Sequence, residues 1–288
     1  MDDLQKIVWL ASYPKSGNTW FRVFLSNLLS KENHPVDINN LFISPIASNR
    51  ELFDEATGLS SSDLSNEEID NLRPGVYEYA VRNSNEILFQ KVHDAWLNTQ
   101  LGEPMFNSKV TKSVVYFIRN PLDIAISFSN HLSKSFESTV KIMSDNDYAF
   151  GNNPNQLHFQ LRQRLLTWSN HVKSWVDESN LPIMVLRYED MKFDTFTVFS
   201  NAIRFLNIKA TDDEIIKAIG YSDIKEMQRQ EAERGFKEKP TNAISFFRKG
   251  EAGSWRKELP SELVKKICDD HHEIMLRFGY IDQQGNPL

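Results

Sequence analysis

The strongest constraint on the fold is the stretch KIVWLASYPKSGNTWFRVFLSNLL near the start of the chain. Its apolar run, residues 6–11, predicts a buried strand, and a one-sided apolar stripe after the loop predicts a helix. The stripe consists of Phe21, Phe24, Leu25, Leu28 and Leu29. A loop that joins a buried strand to a helix points successive backbone N–H groups at one place, where the helix dipole also favours negative charge. The sequence therefore predicts an anion-binding loop at this point.

The rest of the chain repeats this alternation of strand-like and helix-like segments. Short β-rich runs occur at residues 6–11, 86–92, 113–118 and 182–188, and amphipathic segments separate them. Strands that alternate with helices need right-handed crossovers and give a parallel sheet covered on both faces. We predict an α/β fold with a central, mostly parallel sheet. We also predict a single domain over residues 1–288, because no repeat or convincing boundary interrupts the chain.

The charge balance argues against nucleic acid and anionic membranes as partners. Lys and Arg number 33 against 39 Asp and Glu, which gives a net charge of −6. Such a field does not attract nucleic acid or anionic membranes. We expect neither as a partner, so any bound anion needs a local site.

The single cysteine and the absence of long apolar runs bear on the compartment. Cys268 cannot form an internal disulfide or a multi-cysteine metal centre, which fits a reducing environment, and its apolar neighbours at helical spacing indicate a core residue. No run approaches the ~18 apolar residues of a membrane span, and the acidic N-terminus differs from a basic secretory signal. We predict a soluble cytoplasmic protein with no membrane partner.

The loop differs from the phosphate loop of nucleotide hydrolases. In the pattern G-x-x-x-x-G-K-[ST] the lysine follows the second glycine, whereas here Asn18 follows Gly17 and Lys15 lies two residues before that glycine. The strand comparable to the one that carries the magnesium-binding acid ends in Arg119. This favours a ligand whose charge is met by basic side chains. Asp123, which could still be a metal ligand, is expected to face solvent in the first turn of a helix.

Three separated blocks carry a family resemblance: YPKSGNTW at residues 13–20, YFIRNPLDIAISFSNH at 116–131 and FFRKGEAGSWRKEL at 246–259. The sequence resembles cytosolic-type sulfotransferases that use 3′-phosphoadenosine 5′-phosphosulfate (PAPS), and the blocks occur in the family's order. Asn18 and the run KVHDAW are more similar to bacterial members. The resemblance implies a P-loop-type, three-layer α/β/α fold, which agrees with the fold class predicted from the strand and helix patterns.

The resemblance also implies which residues hold the nucleotide. Around the 5′-phosphosulfate it places Lys15, Ser16, Gly17, Asn18 and Thr19, with Trp20 stacked on adenine. Around the 3′-phosphate it places Arg119, Ser127, Arg248, Lys249 and Gly250. Near adenine it adds Tyr188 and Ser222, although Tyr188 is equally well explained as a core or edge tyrosine. Guanidinium and ammonium groups suit a phosphate that carries nearly two charges.

The run FQKVHDAW supplies candidates for the chemistry. Lys91 and His93 alternate at the carboxyl end of a predicted strand, so their side chains fall on the same side. His93 matches the family's catalytic histidine, and a neutral imidazole can accept a hydroxyl proton, although a lone histidine after a strand is often purely structural. By the resemblance, Lys15 contacts the bridging oxygen of the donor and Lys91 the sulfuryl oxygens.

The sequence thus predicts transfer of a sulfuryl group from PAPS to a hydroxyl of a small molecule, with release of adenosine 3′,5′-bisphosphate (PAP) and no metal. The acceptor stays open among phenols, alcohols, lipids and peptide natural products. Two alternatives stay open as well: a P-loop small-molecule kinase that uses ATP and magnesium, and a noncatalytic nucleotide-binding protein. The family's short dimerisation motif is absent after the third block, so the sequence predicts no oligomeric state.

Overall fold

A computed structural model describes residues 4–41, 45–153 and 158–288 of the chain. Its strands are β1 (Ile7–Ser12), β2 (Leu88–Val92), β3 (Thr111–Ile118), β4 (Ala149–Phe150), β5 (Gln163–Arg164) and β6 (Ile183–Arg187). Within the described ranges, one sheet has the order β2-β1-β3-β6, and β4 pairs with β5 in a separate antiparallel ribbon. β1 and β2 are parallel, with Ile7 opposite Leu88 and Ala11 opposite Val92. The predicted three-layer α/β fold with a central parallel sheet is confirmed.

Helices lie between β1 and β2, between β3 and β4 and between β5 and β6, as the pattern predicts. None lies between β2 and β3, whose connection, residues 93–110, is described throughout. In chain order they are α1 (Asn18–Ser30), α2 (Arg50–Thr57), a 3-10 turn (Ser61–Asp63), α3 (Asn66–Arg82), α4 (Pro121–Leu132), α5 (Phe136–Met143), α6 (Trp168–Lys173) with a π-helical continuation (Ser174–Glu178), α7 (Tyr188–Phe193), α8 (Thr195–Phe205), α9 (Asp212–Tyr221), α10 (Ile224–Arg234), α11 (Trp255–Glu258), α12 (Ser261–Asp270) and α13 (His272–Arg277).

The chain forms two compact units, each built from three separate stretches. The first unit comprises residues 1–13, 43–116 and 145–185, and the second comprises residues 14–42, 117–144 and 186–288. β1 and β2 belong to the first unit, whereas the last residues of β3 and β6 belong to the second. The single domain over residues 1–288 stays a prediction.

The core of the first unit is built around β1. Every residue of this strand is buried, as expected for a parallel strand that is covered on both faces. Trp9 packs edge-on against Tyr77 and Phe106, with ring centroids 5.0 Å apart in both pairs. Its indole N–H donates to Thr111 Oγ1 at 2.8 Å, so burial leaves this polar group satisfied.

The core of the second unit includes the apolar stripe of α1. Phe21 lies 5.2 Å from Phe117, and Phe24 lies 4.4 Å from Phe199, measured between ring centroids. This confirms the helix predicted after the loop. Cys268 on α12 is only 5 % exposed, which confirms the prediction that it belongs to the core.

Candidate active site

The loop between β1 and α1 depends on a glycine in a conformation that other residues rarely adopt. Gly17, immediately before α1, has φ +99° and ψ 1°. A Cβ atom at this position would lie 2.8 Å from Cδ2 of Tyr188, so both the backbone and the available space require glycine. Lys15 also has a positive φ of 72°, which is uncommon for a residue with a side chain. The backbone therefore turns sharply just before α1.

A buried hydroxyl in the same loop lacks a partner. Ser16 is fully buried, and within the described residues its Oγ makes no hydrogen bond. An unsatisfied buried hydroxyl costs about 1–3 kcal/mol, a cost that a bound acceptor would remove. The first turn of α1 contains no acidic residue, so nothing there opposes an anion. These features fit a phosphate or sulfate group.

Arg119, directly after β3, connects the loop to the basic segment of the second unit. One guanidinium nitrogen donates to the carbonyl oxygen of Lys15 at 3.1 Å, and the other donates to the carbonyl oxygen of Glu251 at 2.8 Å. The guanidinium also lies 4.2 Å from the ring centre of Tyr188. Lys15 Nζ lies 4.0 Å above the ring of Phe246, so two of the predicted cations border this loop.

The basic turn Arg248, Lys249 and Gly250 shares one counter-ion. Glu258 is 2.6 Å from Lys249 Nζ and 3.9 Å from a guanidinium nitrogen of Arg248. Gly250 has φ +62°, and a Cβ atom there would come within 3.1 Å of Ile224. The turn thus offers two cations to one carboxylate, which leaves an excess of positive charge for a phosphate.

Asp123 corrects one expectation. It does not face solvent in the first turn of α4 but is only 2 % exposed. Its two carboxylate oxygens accept hydrogen bonds from the backbone N–H groups of Gly253, at 2.6 Å, and Trp255, at 3.1 Å. The carboxylate is buried because these backbone donors replace water. Asp123 therefore ties the segment that follows the basic turn to the start of α4.

The predicted adenine contacts and Ser127 also lie in the second unit. Trp20 is half-buried and lies 5.3 Å from Phe199 and 6.2 Å from Tyr188 between ring centroids. Burial raises the pKa of Tyr188, and the nearby Arg119 opposes that rise. Ser222 is fully buried and donates to the carbonyl oxygen of Ile219 at 3.0 Å, at the end of α9.

Ser127 is half-buried on α4. Its predicted contact with the 3′-phosphate, and the predicted adenine contact of Ser222, stay predictions.

His93, in the first unit, has its tautomer fixed by the backbone. Its Nδ1 lies 2.9 Å from the carbonyl oxygen of Ser12, the last residue of β1, and 3.3 Å from the hydroxyl oxygen of the same residue. A carbonyl oxygen only accepts, so Nδ1 carries the proton and Nε2 carries the lone pair. Lys91 and His93 are both half-buried while Val92 between them is buried, in agreement with the predicted alternation.

A second histidine, which the sequence analysis did not identify, supports the backbone of His93. His171 on α6 is fully buried, and its Nε2 lies 3.1 Å from the carbonyl oxygen of His93. Its Nδ1 lies 2.8 Å from the hydroxyl of Tyr116. Burial lowers the pKa of His171 to about 4, with the bond to His93 opposing this shift. The one indication of this role in the sequence is the position of His171 between Trp168 and Trp175 on a predicted helix.

The residue after His93 is held by a buried ion pair. Asp94, 2 % exposed, accepts two hydrogen bonds from the guanidinium of Arg73 at 2.9 and 2.8 Å. Its carbonyl oxygen accepts from the indole N–H of Trp175 at 2.9 Å, and the N–H of Trp96 donates to Ser174 Oγ at 3.1 Å. The backbone that follows β2 is thus fixed by side chains of α3, of α6 and of its π-helical continuation.

A family model identifies the protein. The model for the sulfotransferase domain matches residues 5–279, nearly the whole chain. The chain belongs to the sulfotransferase domain family. The suspected relationship and the predicted class of enzyme are thereby confirmed.

Curated sulfotransferases are similar along most of their length. The chain is 24 % identical to bovine (Bos taurus) sulfotransferase 1E1 over 282 residues, which cover 93 % of the chain and 82 % of the relative. It is 22 % identical to flavonol 3-sulfotransferase of Flaveria bidentis, with 90 % and 78 % covered.

Solved structures share the fold of this sulfotransferase. Mouse sulfotransferase SULT7A1, complexed with PAP, superposes with a TM-score of 0.61 at 18 % identity and covers 95 % of the chain and 84 % of its own. Retinol dehydratase in a complex with retinol and PAP gives a TM-score of 0.61 at 19 % identity, with 94 % and 82 % covered.

Two other kinds of site are absent from residues 4–41, 45–153 and 158–288. None of the helices in these ranges combines the length and apolar character needed to cross a bilayer. In the same ranges, no cluster of three or more His, Cys, Asp or Glu side chains has an arrangement that could bind a metal ion.

Proposed function

We propose that this sulfotransferase transfers a sulfuryl group from PAPS to a hydroxyl of a small-molecule acceptor and releases PAP. The observation that carries the proposal is the loop before α1, where the buried Ser16 hydroxyl has no hydrogen-bond partner among the described residues and Gly17 turns the backbone at a positive φ. Such a loop suits a tetrahedral anion. Two structurally similar proteins were crystallised with PAP, which supports the choice of nucleotide.

Three groups of residues would hold the donor. The 5′-phosphosulfate would be held by Lys15, Ser16, Gly17, Asn18 and Thr19, and the 3′-phosphate by Arg119, Ser127, Arg248, Lys249 and Gly250. Trp20, Tyr188 and Ser222 would contact adenine. The shared counter-ion of Lys249 and Arg248 supports this assignment, since a dianionic phosphate would replace the single carboxylate of Glu258 with more negative charge.

The bound donor supplies the activated sulfuryl group. His93 takes the proton of the acceptor hydroxyl at Nε2, because the bond from Nδ1 to the Ser12 carbonyl leaves the lone pair on Nε2. Lys15 and Lys91 supply positive charge where negative charge develops in the transition state. None of these three roles requires a metal ion.

The proposed acceptor class and the proposed cytoplasmic location of the protein are inferred from its relatives. Proteins similar to this chain include a flavonol sulfotransferase and a luciferin sulfotransferase, which supports a small hydroxylated acceptor. A further relative is named cytosolic sulfotransferase 15, which supports a cytoplasmic location.

The test is incubation of the protein with PAPS and a panel of phenols, alcohols, lipids and hydroxylated peptides, in excess EDTA. We expect PAP to form only when an acceptor is present, and exact-mass spectrometry to find a sulfated product. A parallel reaction with ATP and magnesium tests for a kinase. Turnover of ATP without turnover of PAPS would overturn the proposal, and PAP binding without transfer to any acceptor would favour a noncatalytic protein.

A further inference from the structure

Two side chains and one backbone carbonyl form a continuous hydrogen-bonded series within the first unit. The hydroxyl of Tyr116 on β3 lies 2.8 Å from Nδ1 of His171, and Nε2 of His171 lies 3.1 Å from the carbonyl oxygen of His93. Tyr116 and His171 are both fully buried.

The direction of each hydrogen bond follows from the chemistry of its partners. The His93 carbonyl oxygen only accepts, so Nε2 of His171 carries the proton. Nδ1 of His171 then holds a lone pair, and the Tyr116 hydroxyl donates to it. Because burial lowers the pKa of His171 to about 4, the ring is neutral near pH 7 and keeps one donor and one acceptor.

His93 is therefore held at two points. Its ring is held by the bond from Nδ1 to the Ser12 carbonyl, and its backbone is held by the bond from His171. The backbone carbonyl and the side chain branch from the same Cα atom, so a shift of this peptide also moves the atom from which the ring projects. A displacement of about 1 Å in a catalytic group can cost about 100-fold in rate.

We propose that His171 is a positioning residue for His93, and that Tyr116 serves it by fixing the tautomer of His171. The inference rests on the proposed function, in which His93 is the general base. His171 touches neither the acceptor nor the donor in this scheme. Its role is to hold the His93 peptide so that Nε2 of His93 keeps its lone pair and the His93 ring keeps its orientation.

The first test compares variants of His171 that differ in one donor. His171→Gln keeps a side-chain N–H close to the position of Nε2, whereas His171→Met fills similar space without a donor. We expect His171→Met to lower kcat by about 10-fold to 100-fold, with the KM for PAPS changed less than about two-fold. We expect His171→Gln to recover kcat to within about three-fold of the unchanged protein, and Tyr116→Phe to lower kcat by about three-fold to ten-fold.

The second test measures the tautomer of the His93 ring and does not depend on catalysis. Nitrogen-15 NMR of the imidazoles, assigned by comparison with His93→Ala, distinguishes protonation at Nδ1 from protonation at Nε2. We expect the Nδ1-protonated form in the unchanged protein and in His171→Gln, and a mixture of tautomers in His171→Met. PAP titration calorimetry and thermal unfolding establish that each variant is folded.

The outcomes separate the two proposals. If the unchanged protein transfers no sulfuryl group, the proposed function fails, and the NMR comparison still decides whether His171 positions His93. An unchanged kcat together with an unchanged His93 tautomer in His171→Met would overturn the positioning role. If His171→Met does not fold, His171→Gln and Tyr116→Phe test the positioning role. A folded His171→Gln with low kcat and mixed tautomers would overturn that role. A Tyr116→Phe variant identical to the unchanged protein would overturn it as well.

Discussion

At the scale of single residues, the proposed chemistry depends on His93 and Lys15. Because His93 presents a lone pair at Nε2 and Lys15 lies in the loop, we expect His93→Ala and Lys15→Ala each to lower kcat by about 100-fold or more. Steady-state assays with PAPS measure the loss. The matched controls are the exposed His34→Ala and Lys265→Ala, which should leave kcat unchanged. Full activity of either site variant would remove that residue from the mechanism.

Alanine substitutions at Gly17 and Gly279 separate the effect of backbone strain from the effect of a steric clash. Alanine at a positive φ costs about 1–2 kcal/mol, and Gly17→Ala also brings Cβ to 2.8 Å from Tyr188. Gly279→Ala is the control, because its φ is +68° and a Cβ atom there meets nothing within 4 Å.

We expect both glycine variants to unfold more easily in chemical denaturation, and only Gly17→Ala to lose at least about ten-fold in PAP affinity by calorimetry. Equal PAP affinity in the two variants would show that the loop does not bind the nucleotide.

At the scale of elements, the segment that follows the basic turn is tied to α4 through Asp123. Asp123→Asn replaces one carboxylate acceptor with an amide donor, so only one of the two N–H groups from Gly253 and Trp255 keeps its partner. We expect PAP affinity to fall by about ten-fold in calorimetry. Asp212→Asn, an exposed acid in the first turn of α9, is the control and should bind PAP normally. Unchanged affinity in Asp123→Asn would contradict this account of the turn.

Glu258 has the opposite expected effect, because it neutralises the cations proposed to hold the 3′-phosphate. Removing its charge with Glu258→Gln should raise PAP affinity by about three-fold, the scale of a partly exposed ion pair. Asp269→Asn breaks the exposed pair with Lys265 and serves as the control for a general change in net charge. Weaker binding in Glu258→Gln would mean that the carboxylate orients Lys249 and Arg248 instead of competing for them.

Elements with strong periodicity agree closely with their prediction. The four predicted β-rich runs correspond to β1, β2, β3 and β6 within about two residues, because each run contains several β-branched or aromatic side chains. The two-residue strands β4 and β5 were not predicted, since they exist only through their pairing with each other. The π-helical turn after α6 was also missed, because its residues continue a helical pattern.

At the scale of the whole molecule, two buried histidines make stability depend on pH. Burial lowers the pKa of His171 and of His271 from the usual 6.5 to about 4. Between these values the unfolded chain binds more protons than the folded one, so the free energy of unfolding falls as pH falls from about 6.5 to about 4. Each histidine contributes at most about 1.4 kcal/mol per pH unit in this window.

The measurement is chemical denaturation of the unchanged protein and of His171→Gln at several pH values from 7 to 4.5. We expect a shallower loss of stability in His171→Gln, because one titrating group is gone while the carboxylates are the same. His34→Gln, which changes an exposed histidine, should keep the original slope. Identical slopes in all three proteins would show that His171 is not held neutral by the fold.

The sequence by itself determined the sheet, the loop between β1 and α1, and the family. These features depend on residues that are close together in the sequence. In the loop, for example, an apolar run is followed by a glycine and then by the start of a helix. The tertiary structure alone decided that Asp123 is buried against the segment after the basic turn and that His171 binds the carbonyl oxygen of His93. Those partners are separated by 130 and 78 positions. Local periodicity carries no information about such pairs, because a buried polar side chain is stable only where the fold brings its hydrogen-bonding partner to it.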